Sequence, residues 1–149
     1  MRMTPTVATL NDLIRTCRDA EALCRACAHT AARAHVRNRL HARSEEWARQ
    51  GDELQALVLL LGGEPVTKST LRGRVAGAWM TLLTFARGPS DARALDDFET
   101  AQQHALSRYE AALRGYLPER IRRTVSLQAR QIFARSERVS WTRGHFAVS

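Results

Sequence analysis

Several features that would reveal a function directly are missing from this sequence. No apolar run approaches the roughly 20 residues that a transmembrane helix needs. The N-terminus has no apolar signal-peptide segment, so we expect a cytoplasmic protein without a membrane partner. A nucleophile elbow, a glycine-rich phosphate loop and a zinc signature are also absent. Because no alternating strand pattern occurs either, the sequence favours an all-α protein.

Lysine is nearly absent as well, since Lys68 is the only lysine among 23 basic residues, and the net charge is +8. Residues 1–43 contain eight basic and three acidic residues, which gives +5. Residues 44–110 contain seven basic and ten acidic residues, a net charge of −3. Residues 111–149 contain eight basic and two acidic residues, a net charge of +6. A basic surface can attract nucleic acid or anionic lipid, or it can pair with an acidic neighbouring helix.

The three cysteines, Cys17, Cys24 and Cys27, all fall within one predicted helix. A disulfide framework is not expected without a secretory signal. A metal bound by Cys24 and Cys27 would need a second pair or suitably spaced histidines, and neither is present. We therefore expect small core side chains at these positions.

Apolar heptad stripes predict four helices and one shorter helix. The predicted ranges are about 7–30, 34–61, 90–114 and 118–139, with the short helix over about 70–86 and a frayed tail at 141–149. Thr9 or Asn11 is expected to cap the first helix. Gly62-Gly63 and Gly115 are expected to end the second and third long helices, and Pro118 suits the first turn of the fourth.

The lengths of the connections predict the topology of a single domain over residues 1–149. Short links after the first and third long helices imply two antiparallel hairpins. The roughly 28-residue link between the hairpins is long enough to cross the length of the bundle and includes Trp79. Two hairpins joined by a long crossover are typical of the ferritin-like four-helix bundle.

Polar residues interrupt three of the apolar stripes, at Glu21, Gln102 and Gln128. A polar side chain in a bundle core needs a partner. Counting outward from the two hairpin turns places Glu21 opposite Arg43 and Gln102 opposite Gln128. The sequence thus predicts a polar core layer made of an ion pair and an amide pair.

A carboxylate-bridged iron or manganese site is the alternative use of such a layer. Its candidate ligands would be Glu21, Glu46 and Glu99. Glu-x-x-His motifs, which bundle sites of this kind use, are missing because Arg49 and Gln102 occupy the histidine positions. We therefore expect no metal, no cofactor and no catalytic residues, and a degenerate metal site at most.

Nucleic-acid binding is the second alternative, because a run of arginines lies mostly away from the apolar stripe of the fourth helix. The run lacks interleaved aromatic residues, and no helix-turn-helix or other reading motif accompanies it. Its members are Arg114, Arg120, Arg122, Arg123, Arg130 and Arg138.

Several short segments, in this order and spacing, resemble a bacterial family of ferritin-like four-helix-bundle proteins of unknown function, the domain of unknown function 2383 type. These segments are Leu10-Asn11-Asp12-Leu13-Ile14 with Asp19 and Glu21, Glu53-Leu54-Gln55, Leu61-Gly62-Gly63-Glu64-Pro65, Trp79, Tyr109-Glu110-Ala111-Ala112-Leu113 and Leu117-Pro118. The likeness covers about residues 7–140. It implies the ferritin-like fold and offers no settled activity.

The resemblance also implies an eroded ligand set. By the family's pattern, Gln102 and Ser136 occupy positions where a carboxylate and a histidine are expected, whereas Glu21, Glu46, Glu53 and Glu99 are retained. We therefore expect a non-enzymatic interaction or structural module, acting through a protein partner or as a homodimer. The metal-binding and nucleic-acid-binding alternatives remain open.

Overall fold

Four long α-helices form the described part of the chain, which contains no strand. The structure, a computed structural model, describes residues 4–67, 79, 82 and 86–148, with side chains as far as Arg135. The helices are α1 (Pro5–Thr30), α2 (Ala34–Leu60), α3 (Asp91–Arg114) and α4 (Glu119–Val148). The predicted all-α four-helix bundle is confirmed. Among the described residues, no helix combines the length and the apolar character required to cross a bilayer.

Helix α1 begins earlier than predicted, because Thr4 and Pro5 form a start signal. The Val7 N–H donates to Thr4 Oγ1 at 3.2 Å, and Pro5 stands in the first turn, where no N–H is needed. The prediction that Thr9 or Asn11 caps this helix is wrong. The Thr9 hydroxyl instead donates to the Pro5 carbonyl one turn back.

Asn11 is buried and anchors the chain that follows α2. Its Nδ2 donates to the Glu64 carbonyl at 3.1 Å, and its Oδ1 accepts from the Val66 N–H at 3.1 Å. Gln55 donates to the Val66 carbonyl at 2.8 Å. The two Asn11 bonds hold the start of the α2–α3 connection against the first half of α1, and the Gln55 bond holds it against α2.

The predicted ends of α2 and α3 agree with the structure. Gly62 follows α2 with a φ of +76°, a conformation that favours glycine. Ser90 caps α3 by accepting from the Arg93 N–H at 3.3 Å, and Gly115 follows its last residue.

Helix α4 extends through the segment predicted as a tail, so the tail prediction is wrong. No proline or glycine occurs between Glu119 and Arg143, and Gly144 alone does not end the helix. At about 1.5 Å per residue, α4 is roughly 45 Å long, compared with roughly 39 Å for α1.

The helices form a ring in the order α1, α2, α4, α3, with antiparallel neighbours. Asp12 pairs with Arg108, and the Ser90 N–H donates to the Thr30 carbonyl, which aligns the start of α1 with the end of α3. Arg135 pairs with Glu46, which joins α4 to α2. Residues from all four helices line one hydrophobic core, in which Trp47, Phe98 and Tyr109 are the largest fully buried side chains.

The α2–α3 connection starts and finishes at opposite ends of α1. Near its start, Gly63 packs on Val7 so closely that a Cβ would lie 2.9 Å from a Val7 methyl carbon. At its end, Ser90 contacts Thr30. The predicted helix around Trp79 lies mostly outside the described residues, although Trp79 and Leu82 are helical and more than half exposed.

Candidate functional site: a buried polar layer

A layer of polar side chains crosses the core. We call it the polar layer, and each member is at most 5% exposed. Its members are Gln50, Gln102, Tyr109, Gln128 and Arg135. Gln102 and Gln128 were predicted for such a layer. Glu21 and Arg43, the other two predicted members, lie at its margin with side chains 14% and 17% exposed.

Gln128 joins three helices at the centre of the polar layer. Its Oε1 accepts from the Tyr109 hydroxyl of α3 at 2.6 Å. Its Nε2 donates to the Gln50 carbonyl of α2 at 3.3 Å, and Gln50 Nε2 donates back to the Gln128 carbonyl at 3.4 Å. The reciprocal amide contacts set the register between α2 and α4.

Tyr109 extends the polar layer to Cys17 on α1. The Cys17 Sγ lies 3.2 Å from the Tyr109 hydroxyl oxygen. The single hydroxyl proton is donated to Gln128, so the thiol donates to the tyrosine. Burial raises the pKa of Cys17 to about 12 and raises the pKa of Tyr109 well above its usual value. Both groups are therefore neutral at physiological pH.

Arg135 brings a cation into the polar layer. Its Nη2 donates to Gln50 Oε1 at 2.7 Å, and its Nη1 donates to Glu46 Oε2 at 2.8 Å. The guanidinium carbon lies 4.8 Å from the centre of the Trp47 ring, a cation–π distance. Burial lowers the pKa of Arg135, and its hydrogen bond to Glu46 opposes that shift. An arginine remains charged under these conditions.

Glu46 is shared by two arginines, and this replaces the ion pair that the sequence predicted. Its second oxygen accepts from Arg43 Nη1 at 2.5 Å. Glu21 pairs on its own helix with Arg25 at 2.7 Å and with Arg18 at 3.4 Å. The predicted Glu21–Arg43 pair is thus not formed. Matching heights in a hairpin do not fix which way a side chain points, and nearer arginines at i−3 and i+4 reach Glu21 first.

The predicted Gln102–Gln128 pair is not formed either, because the Tyr109 hydroxyl donates its hydrogen bond to the side-chain oxygen of Gln128, Oε1. Gln102 Nε2 makes one long contact of 3.5 Å to the Ile132 carbonyl. Gln102 Oε1, Trp47 Nε1 and Arg135 Nε are buried without a hydrogen-bond partner. Gln102 is therefore the least satisfied member of the polar layer.

The three candidate metal ligands do not form a carboxylate cluster. Within the described ranges, no three His, Cys, Asp or Glu side chains are grouped so that they could hold a metal ion. Glu21 is held by Arg18 and Arg25, and Glu46 by Arg43 and Arg135. Glu99, half-buried on α3, also has an interaction partner. The residues present do not fit a dinuclear iron or manganese centre, because guanidinium groups already neutralise the carboxylates nearest the core.

A cleft of about 430 Å³ lies beside the polar layer, between α2 and α4. Long side chains from both helices, such as Gln50 of α2 and Arg135 of α4, line this cleft. Its lining residues are Glu46, Arg49, Gln50, Glu53, Gln131, Ala134 and Arg135. The cleft contains equal numbers of arginines and glutamates, so it has no excess charge to attract a metal ion.

Sequence reasoning did not single out Arg135 or Gln50 as core polar residues. The signal was present, because both fall in register with the apolar stripes of their helices. Trp47 and Tyr109 also lie on stripes, but the stripe pattern cannot show that one stacks on a guanidinium and the other donates to an amide.

The sequence model of one protein family matches residues 5–115, a segment that runs from the start of α1 to the end of α3. That family is described as "Domain of unknown function (DUF2383)". A search of curated proteins finds no match.

Proposed function

The chain belongs to the DUF2383 family, and from that premise we propose that it is a ferritin-like module without enzymatic activity. In this proposal it serves an interaction or structural role and keeps only a degenerate metal site. The positions of Gly63 and Ser90 at opposite ends of α1 support the ferritin-like connection, since the intervening chain has to travel the length of the bundle.

The buried guanidinium of Arg135 is the observation that carries the proposal. It lies between Glu46 and Gln50, on the face of Trp47, and takes the role of cation in the core. Two positive unit charges 4 Å apart repel by about 4 kcal/mol at an effective dielectric constant of 20. A divalent ion beside Arg135 would meet about twice that repulsion and would have to displace the guanidinium.

The chemistry of the other polar groups supports a non-enzymatic role. Burial raises the pKa of Cys17 and of Cys24 to about 12, so neither thiol supplies a thiolate nucleophile at neutral pH. Tyr109 is fully buried and its pKa is raised, so it does not act as a general base there. The hydrogen bonds of the polar layer instead restrict how the four helices can pack.

Elemental analysis tests the core part of the proposal. Purified protein is incubated with Fe(II) or Mn(II), desalted and analysed, together with Glu46→Gln and the control Glu45→Gln at the neighbouring exposed position. We expect the same background metal content in all three proteins. Stoichiometric metal in the wild type and in Glu45→Gln, but not in Glu46→Gln, would overturn the proposal in favour of a metal protein.

Self-association is the interaction that we propose first. Leu59, Leu60 and Leu61 at the end of α2 are 63%, 68% and 43% exposed, and clustered exposed leucines favour a protein contact. In this proposal the basic ends and the acidic middle of the sequence supply charges of opposite sign for the contact. Light scattering after size exclusion should show a dimer that a Leu59→Ser/Leu60→Ser variant weakens. A strict monomer at all concentrations would count against self-association.

A further inference from the structure

The cleft between α2 and α4 contains two unpaired charges of opposite sign. Glu46, one of its two glutamates, is neutralised by Arg43 and Arg135. The remaining charged residues of the described lining are Arg49 and Glu53, both exposed side chains of α2. Neither forms a hydrogen bond or an ion pair with any residue that the structure describes. The cleft therefore offers one free guanidinium and one free carboxylate.

The order of Arg49 and Glu53 in the sequence disfavours an ion pair between them. They stand four residues apart, so their Cα atoms are about 6 Å apart along the axis of α2. When a basic residue precedes an acidic residue by four positions, the pair is less favourable than in the reverse order. Both side chains can therefore turn toward a third group that enters the cleft.

The buried side of the cleft consists of polar groups that are held in place. Gln50 and Arg135 are buried, and Arg135 Nη2 donates to Gln50 Oε1 at 2.7 Å. Gln131 of α4 accepts from Gln50 Nε2 at 3.5 Å through its side-chain oxygen. The amide N–H groups of Gln131 have no partner in the described part of the chain, so they can donate to a ligand.

From these groups we infer that the cleft binds a free α-amino acid with a polar side chain. At neutral pH such a molecule has a carboxylate and an ammonium group on one carbon atom. The guanidinium of Arg49 matches the carboxylate in charge and in its fork of donors, and the Glu53 carboxylate matches the ammonium group. A simple anion would be repelled by Glu53, and a simple cation by Arg49.

The volume and the lining of the cleft limit the size and the polarity of the amino acid. A volume of about 430 Å³ is within the range of about 300–1,000 Å³ that is typical of small-molecule sites. Ala134 is the one apolar side chain of the described lining, so a leucine side chain would bury little apolar surface there. The amide of glutamine can form hydrogen bonds with the polar lining, and L-glutamine is therefore the probe of choice.

Titration of isotope-labelled protein with L-glutamine, followed in proton–nitrogen correlation NMR spectra, tests this inference. We expect the side-chain amide signals of Gln50 and Gln131 to shift, with a Kd of about 10⁻⁴ to 10⁻³ M for a ligand of this size in an open cleft. L-Leucine, which has a similar size, should bind at least about threefold more weakly, because it cannot form the side-chain hydrogen bonds.

Two analogues of glutamine assign each charge to its residue. N-Acetyl-L-glutamine keeps only the carboxylate, and L-glutamine α-amide keeps only the ammonium group. Arg49→Gln should weaken the binding of L-glutamine and of the N-acetyl compound by at least about fivefold, and leave the binding of the α-amide unchanged. Glu53→Gln should weaken the binding of L-glutamine and of the α-amide by a similar factor, and leave the binding of the N-acetyl compound unchanged.

Arg15→Gln and Glu45→Gln are the controls, since each removes one exposed charge outside the cleft, and both should bind L-glutamine within about twofold of wild type. Unchanged wild-type spectra at roughly ten times the expected Kd would overturn the inference. Equal losses in the cleft and control variants would also overturn it, as would the same response of both analogues to both cleft variants. The inference goes beyond the proposed function, because the metal analysis and the light scattering have the same expected results whether or not an amino acid binds.

Discussion

Two buried glutamines that look equivalent in the sequence should respond very differently to replacement by leucine. Gln128 makes two side-chain hydrogen bonds with good partners, the Tyr109 hydroxyl at 2.6 Å and the Gln50 carbonyl at 3.3 Å. Gln102 makes one contact of 3.5 Å, and its Oε1 has no partner. Both side chains are at most 1% exposed, so solvent does not replace what is lost.

The Gln128→Leu change should destabilise the protein by about 1–3 kcal/mol. It leaves the Tyr109 hydroxyl proton without its acceptor, at about 1–3 kcal/mol for a buried group, and it removes a second hydrogen bond on the Gln50 main-chain carbonyl, at about 1 kcal/mol. Burying leucine in place of an amide offsets about 1 kcal/mol of this. The Gln102→Leu change removes an oxygen that has no partner and one long hydrogen bond. We therefore expect the free energy of unfolding to stay the same or to rise by up to about 1 kcal/mol.

Urea denaturation followed by circular dichroism measures both changes in the free energy of unfolding. The exposed neighbour Gln103 gives the control, because Gln103→Leu should stay within about 0.5 kcal/mol of wild type. The melting temperatures of the two core variants should differ by about 5–10 °C. Equal destabilisation by both core changes, or a larger effect at Gln102, would refute the hydrogen-bond assignment of the polar layer.

Three further predictions concern the buried arginine and the buried thiol and phenol groups. Arg135→Met should cost about 3 kcal/mol because it leaves Glu46 without one partner, and Glu46→Gln/Arg135→Met should recover at least half of that in urea denaturation. Native protein at pH 8 should resist thiol labelling, since a pKa of about 12 leaves about one thiolate in ten thousand at Cys17 and Cys24. Stability should fall as pH rises above about 9, because the unfolded chain loses thiol and phenol protons that the folded chain keeps. Cys17→Ala should then reduce that decline, seen in melts between pH 9 and 12, by about 1.4 kcal/mol per pH unit.

The sequence was most informative where local chemistry decides the structure. Gly62 and Gly115 mark helix ends because the residues that stop a helix act within a few positions of it. The apolar stripes placed Gln102 and Gln128 in the core for a similar reason, since helical periodicity alone sets the face on which a residue lies. The start of α1 was missed because Thr4 and Pro5 precede the first apolar residue of its stripe.

The pairing inside the core could not be predicted in the same way. Glu21 and Arg43 lie at similar heights, but the choice between partners depends on side-chain direction and on competing arginines. Arg135 reaches Glu46 across 89 residues of sequence, and its position depends on how α4 packs against α2. Helical periodicity does not specify side-chain direction or the packing of α4 against α2. The sequence therefore did not identify Arg135 as the cation in the core.

Diffraction from a crystal soaked in manganese, collected near the manganese absorption edge, tests the central claim most directly. We expect no anomalous peak in the core, and the Arg135 guanidinium within hydrogen-bonding distance of Glu46 and Gln50. An anomalous peak among Glu21, Glu46 and Glu99, with Arg135 turned out into solvent, would contradict the claim that an arginine serves as the cation of this bundle.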